Sequence, residues 1–317
     1  MAKTLIACTD LSSNSLPALK QAAWLAATLN YSVRLVFVVD PAAVLSAQKR
    51  NVSEQREQLR QWANAQVKLL QEKIFPGMAA EASIIELHEH GLWSELTKPY
   101  DNHAVAQAIC QAAAETQAAA VVLGTHGDAG LSDVVLGTVA MRVVRLAPCD
   151  VLTVRPNESE QSDAPLDLAA LPIQPIAKGI RSILCAVDFS EGSRLAVERA
   201  LQLAQPCGAT VHLMHTYRVP FWMGPGSEEV ETQLADQVKH SIEQLSQQYS
   251  DRGVALKCHV ASGRPPMKIR ELAMELDVDW IVMGVLGQTG LEELLVGSVT
   301  ERLVRMAPRP VLAVRKS

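Results

Sequence analysis

The chain has 317 residues, 48% hydrophobic and 20% charged, with a net charge of −5. That length and balance predict about two globular domains with ample core. The negative charge argues against general nucleic-acid binding by phosphate neutralisation. No stretch reaches the ~18 uninterrupted apolar residues of a membrane span, and the opening MAKTLIACTD lacks signal-region chemistry. Six cysteines without CxxC pairing, two of them (Cys8, Cys185) inside apolar strand patterns, predict buried reduced thiols and a cytoplasmic protein.

Residues 4–9 (TLIACT) predict a strand ending at Asp10. Residues 14–30 carry Leu16, Leu19, Ala22, Ala23, Leu25 and Ala26 at helical spacing, with Ser12 to Ser15 as cap candidates. A second strand spans 32–39 and closes at Asp40-Pro41. A long polar helix follows over about 53–73, stopped by Phe75-Pro76-Gly77. Residues 82–88 predict the third strand, 104–115 an alanine-rich helix, and 119–123 the fourth strand. After a glycine-containing loop and a helix beginning near Val139, residues 151–155 form the last strand of this half. Strand and helix patterns alternate, which predicts a parallel α/β sheet with right-handed crossovers. Residues 157–179 are proline-rich with an acidic start and predict a linker, with a short turn at 166–171.

The cycle then restarts, with strands over 182–187, 210–215, 254–260, 280–283 and 310–315 and helices over 193–204, 228–248 and 267–276. TDLSSNS in the first half matches VDFSEGS in the second, and APCDVLTVR matches APRPVLAVR. The repeat is an internal duplication, which predicts domains at 1–156 and 180–317. An insertion around residues 92–103 belongs to the first half alone.

The strongest repeated signal is G-x2-G-x9-G-[S/T]. It runs through Gly124, Gly127, Gly137 and Thr138 in one half, and through Gly284, Gly287, Gly297 and Ser298 in the other. Each copy follows a buried-strand pattern and precedes a helical one. Glycine allows the sharp turn and close backbone approach. Unpaired N–H groups at the helix start, with the macrodipole and a hydroxyl, make an anion site. One such copy reads equally well as an ordinary turn; two with identical spacing point to a phosphate-bearing ligand.

With the first-strand aspartates Asp10 and Asp188 and the terminal PVLxVR-like strands, these motifs resemble the universal stress proteins in their tandem two-domain form. The resemblance covers nearly all of the chain outside the linker and insertion. It implies two doubly wound, five-stranded parallel-sheet domains packed as an intramolecular pseudo-dimer, with nucleotide outside the carboxyl ends of the strands. It implies ATP or another adenine nucleotide as ligand, with Mg²⁺ as a companion to triphosphate. Asp10 and Asp188 would face ribose and adenine, backbone at Val38 and Thr216 would read the base edge, and Leu123 and Met283 would flank it. Gly124, Gly127, Gly137, Thr138 and Val139 would surround one phosphate chain, and Gly284, Gly287, Gly297, Ser298 and Val299 the other. Family members that bind nucleotide often carry a base after the second glycine, where this chain has Asp128 and Gln288. An acid beside triphosphate is repulsive, so the first site is expected to prefer fewer phosphates or to need a cation. Val285-Leu286 replace Thr125-His126, so the two sites are not expected to be equivalent.

Other candidates are weaker. His126 could touch phosphate, but no partner nucleophile accompanies it, and a solvent-facing loop histidine is an equal reading. His88, His90 and His103 with Glu86 and Glu89 suggest a zinc site, although without tight ligand spacing separate exposed side chains are favoured. Acids at strand ends also cap turns, a competing role for Asp10 and Asp188. Trp62 and the Phe221-Trp222-Met223 group read as core or interface. No general base is placed to activate water, so binding ranks ahead of phosphoryl or adenylyl transfer, and both rank ahead of a ligand-free interaction protein. A homodimer and further protein partners are compatible with the sequence, which names neither.

Overall fold

A computed structural model describes residues 3–39, 52–87, 102–125, 137–157, 166–173, 179–218, 228–287 and 296–316. The chain divides into two compact units, Met1–Ala177 and Lys178–Ser317.

The first unit contains β1 (Thr4–Thr9), α1 (Leu16–Leu29), β2 (Ser32–Val39), α2 (Val52–Ile74), β3 (Ala80–Glu86), α3 (Asn102–Glu115), β4 (Ala120–Gly124), α4 (Thr138–Leu146) and β5 (Asp150–Val154). Its strands pair in parallel in the order β3-β2-β1-β4-β5. The second unit contains β6 (Ser182–Ala186), α5 (Glu191–Ala204), β7 (Thr210–Tyr217), α6 (Glu228–Gln247), β8 (Leu256–Ser262), α7 (Pro265–Glu275), β9 (Trp280–Gly284), α8 (Ser298–Met306) and β10 (Val311–Val314). Its order is β8-β7-β6-β9-β10, again parallel. The α/β class and the two five-stranded parallel sheets match the expectation.

The apolar runs explain the central strands. Ala120, Val121, Val122 and Leu123 are all buried, as a parallel strand covered on both faces requires. Leu5, Ile6, Leu19, Leu35, Leu70 and Leu152 are fully enclosed in the first unit, and Ile183, Leu184, Leu203, Leu213 and Trp280 in the second. Each such side chain contributes about 1.5–3 kcal/mol relative to an exposed one.

Several boundaries differ from the sequence reading. Helix α1 begins at Leu16 rather than near Asn14, because Ser13–Ser15 form a 3-10 turn and Pro17 sits at the helix start. Both third strands are displaced by two residues, β3 towards the N-terminus and β8 towards the C-terminus, relative to the apolar runs. Among the described residues each is paired on one side only within its unit, and most of its side chains are half-buried. Burial alternation there is too weak to fix register from sequence. Gly77 takes φ +71 just after α2, as the Phe-Pro-Gly stop predicts. The turn at 166–171 is present: Asp167 Oδ1 accepts from the N–H groups of Ala169 and Ala170 at 3.1 Å each, over a buried Leu168. Trp62 is 50% exposed, which removes it from the core; Phe221, Trp222 and Met223 lie outside the described residues. No described helix is long and apolar enough to cross a membrane.

Candidate functional site

In the first unit β1 leads to β2 on one side and pairs with β4 on the other, so the chain direction across the sheet reverses between β1 and β4. Ligands of open α/β sheets bind outside the strand ends at such a switch point. Register brings the candidates together there. Thr9 lies opposite Phe37 and Ala7 opposite Val122, so Asp10, Val38 and Gly124 leave neighbouring strands at nearly one level. In the second unit Ala186 is opposite Met214 and Cys185 opposite Val282, which groups Asp188, Thr216 and Met283–Gly284 in the same way. Leu123 and Met283 are buried at the strand ends.

Each aspartate is held by its own turn. Oδ1 of Asp10 accepts from Ser12 N at 3.0 Å and Ser12 Oγ at 2.6 Å. Oδ1 of Asp188 accepts from Ser190 N at 3.0 Å and Ser190 Oγ at 2.5 Å. The turn-capping role therefore exists, and it uses one carboxylate oxygen of each pair. The second oxygen of Asp188 faces the glycine motif: a Cβ built on Gly287 would stand 2.6 Å from Oδ2. The residue after each aspartate, Leu11 or Phe189, takes φ +63. A left-handed non-glycine residue costs about 1–3 kcal/mol and persists only where its surroundings over-determine it. The same strained position in both units marks a feature that sequence reading missed. Its only signal was the repeated D-[L/F]-S.

The last glycine of each motif closes the loop. Gly137 N donates to Thr125 O at 2.7 Å, and Gly297 N to Val285 O at 2.8 Å. Those two amides are therefore committed to backbone carbonyls, and the anion-site expectation rests on the amides that follow them. The first amides bonded inside the helices belong to Met141 (to Gly137 O) and Glu301 (to Gly297 O). Among the described residues, the amides of Thr138, Val139 and Ala140, and of Ser298, Val299 and Thr300, find no backbone partner at the helix starts. Thr138 and Ser298 have exposed side chains. Backbone contact is tight at the last glycine of the first motif, where a Cβ on Gly137 would come within 2.9 Å of Thr125 O.

The units differ in detail. Gly192, where the first unit has Asn14, lets the start of α5 approach the motif: Leu286 O would be 2.5 Å from a Cβ there. Thr300 Oγ donates to Gly284 O at 2.9 Å, whereas Ala140 stands at the matching place in α4. Helix α8 also has Glu301 in its first turn, bonded to Arg305 at 3.0 Å, and α4 has no acid there. A negative charge at a helix start disfavours an anion.

Gly127, His126, Asp128 and Gln288 lie outside the described residues, as do His88, Glu89 and His90. Of the zinc candidates, Glu86 accepts from Arg60 Nε at 2.5 Å, and His103 Nδ1 accepts from Arg142 Nη1 at 2.8 Å. Among the described residues no group of three His, Cys, Asp or Glu is arranged to hold a metal ion. Cys8 and Cys185 are free, buried thiols whose pKa burial pushes far above the usual range. A cavity of about 510 Å³ lies beside β8, lined by Met214, His259, Lys268 and Glu275 among others; it contains none of the switch-point residues.

The family model described as "Universal stress protein family" matches residues 1–155 and again 179–315. A universal stress protein of Methanocaldococcus jannaschii, MJ0577, is 34% identical over 154 residues, covering 43% of this chain and 95% of its own. Another from that organism, MJ0531, is 31% identical over 140 residues, with 43% and 82% covered. The crystal structure of a universal stress protein from Archaeoglobus fulgidus shares the fold over 99% of this chain and 96% of its own, with a TM-score of 0.64 and 18% identity.

Proposed function

The chain belongs to the universal stress protein family, and from that premise we propose that it is a stress-response regulator that binds an adenine nucleotide in one or both units and hydrolyses it slowly at most. The observation that supports this reading best is the repeated switch-point arrangement. In each unit an aspartate beside a left-handed residue, a backbone hydrogen bond joining the two ends of the glycine motif, and a helix start whose amides find no backbone partner among the described residues lie at the ends of adjacent parallel strands.

The residues divide the ligand between them. The carboxylates of Asp10 and Asp188 accept hydrogen bonds from ribose hydroxyls. Backbone at Val38 and Thr216 meets the base edge, and Leu123 and Met283 give it an apolar wall. Gly124, Gly127, Gly137, Thr138 and Val139, and Gly284, Gly287, Gly297, Ser298 and Val299, wrap the phosphates with amides and hydroxyls. Glycine keeps the backbone near the anion. Mg²⁺, where it accompanies triphosphate, would be held chiefly by phosphate oxygens and would neutralise their charge. Occupancy is the output: a ligand that prefers one loop state shifts the population towards it. A cytoplasmic location and exchangeable protein partners belong to the same reading.

Calorimetric titration of the full chain with ATP and with AMP, each with and without Mg²⁺, tests this. Saturable binding of either nucleotide supports it; heats no larger than dilution for both, from a preparation shown to be free of bound nucleotide, would remove it.

A further inference from the structure

The two units hold the same strained turn by different bonds. In the first, Thr9 Oγ accepts from the N–H of Leu11 at 3.0 Å and shares a 2.9 Å hydrogen bond with Ser15 Oγ, which donates onward to Ser12 O at 2.8 Å. Thr9 and Ser15 are both buried, so this hydroxyl chain is sheltered from water. In the second unit the position of Thr9 is taken by Val187, which offers no hydroxyl. Ser193, matching Ser15, still donates to Ser190 O at 3.0 Å. What the second unit has instead is His215 in β7, two residues before its end, where the first unit has Phe37 in β2. Its Nδ1 donates to Val187 O at 2.7 Å, and its ring lies 4.7 Å from that of Phe189. His215 thus grips the residue before Asp188 with a hydrogen bond and the residue after it with its ring face.

We infer that His215 is the positioning residue of the second unit's site: it fixes the left-handed turn that presents Asp188 to the ligand, the task done in the first unit by the Thr9–Ser15 hydroxyl pair. It acts through Val187 and Phe189, and it needs the Nδ1–H donor together with a flat ring. The carboxylate it positions is the one assigned to the ribose, so the effect on ligand rests on the nucleotide reading; the effect on the turn does not. The two anchoring schemes are alternatives built on one backbone. The second unit therefore lacks a single hydroxyl, on Val187, to have the first unit's scheme.

Amide hydrogen exchange by NMR and ATP titration, both on the full chain, test this together. His215→Phe removes the donor but keeps a ring, as in the first unit. It should speed exchange of the Ser190 amide, which bonds Asp188 Oδ1, by about three- to tenfold, the loss of one neutral hydrogen bond. The Ser12 amide should not change. Adding Val187→Thr to His215→Phe should restore protection, because the new hydroxyl can accept from Phe189 N–H and bond Ser193 Oγ. ATP affinity of the second unit should fall and recover in step. A Ser190 amide indifferent to His215→Phe, or a double variant no better than the single one, would overturn the proposal. If the wild-type chain holds no nucleotide and takes up neither ATP nor AMP, the nucleotide reading fails, and Ser190 exchange alone decides the role of His215.

Discussion

Replacing Gly192 by alanine sets helix propensity against backbone packing. Gly192 is the second residue of α5, and a glycine-to-alanine change inside a helix gains up to about 1 kcal/mol, less in a first turn. Against this, the new Cβ would be 2.5 Å from Leu286 O. That neighbour is a main-chain carbonyl, which cannot rotate aside as a side-chain tip can. Relieving the contact means moving the start of α5 or the loop after β9, and overpacking of this kind costs about 1–3 kcal/mol or more. Gly284 is bound into the same approach, with Gly192 backbone 2.8 Å from its own would-be Cβ. The clash should win by about 1–2 kcal/mol, lowering the midpoint of the second unit's thermal transition by about 3–8 °C. Differential scanning calorimetry of the full chain reads this directly. A midpoint that stayed or rose would mean that propensity dominates and that the close approach is not a constraint, which would refute the reasoning.

Asp10→Ala and Asp188→Ala should each weaken nucleotide binding about tenfold or more at the unit concerned, the loss of a charged acceptor; calorimetric titration of each variant checks both. His212 Nδ1 and His259 Nε2 are 2.9 Å apart, one donating and one accepting. Burial first, then Lys257 beside both and His259 beside His212, lowers both pKa values below the usual 6.5, against a weaker opposing pull from Glu275 on His259. The unfolded chain therefore takes up protons that the native pair refuses. Stability should be full above about pH 6.5 and decline as pH falls from there towards the lowered native values; His259→Ser should flatten that decline in urea titrations. Cys8 and Cys185, buried with thiol pKa values raised by burial, should resist a thiol-specific reagent in the native protein and react once it is unfolded; rapid native labelling of either would contradict their enclosure.

Much of the architecture was legible because buried parallel strands are written as continuous apolar runs: β1, β4 and β9 stand where LIAC, VVL and IVM place them. Duplication supplied the two-domain organisation, since the matching motifs mark one candidate glycine loop per half without any contact being known. The third strands were harder to delimit, because one-sided pairing lets polar and apolar residues mix. The site was legible as residue types and illegible as bonds. Nothing in the sequence says that Gly137 and Gly297 spend their amides on Thr125 and Val285, or that Leu11 and Phe189 are left-handed. Those facts depend on backbone geometry that residue types alone do not encode. Likewise His215 reads as an ordinary strand-end histidine until Val187 and Phe189 are seen on either side of Asp188.

The most direct test of the account is the small-molecule content of the purified protein: denature it, clear the precipitate, and analyse the supernatant by chromatography with mass detection, alongside ATP and AMP titration of the same preparation. The account predicts co-purifying adenine nucleotide in stoichiometric amount, or ready uptake by a preparation that has lost it, with Gly137→Val and Gly297→Val assigning the ligand to a unit. A preparation that is empty and takes up neither nucleotide would contradict it, leaving the glycine loops as inherited scaffold.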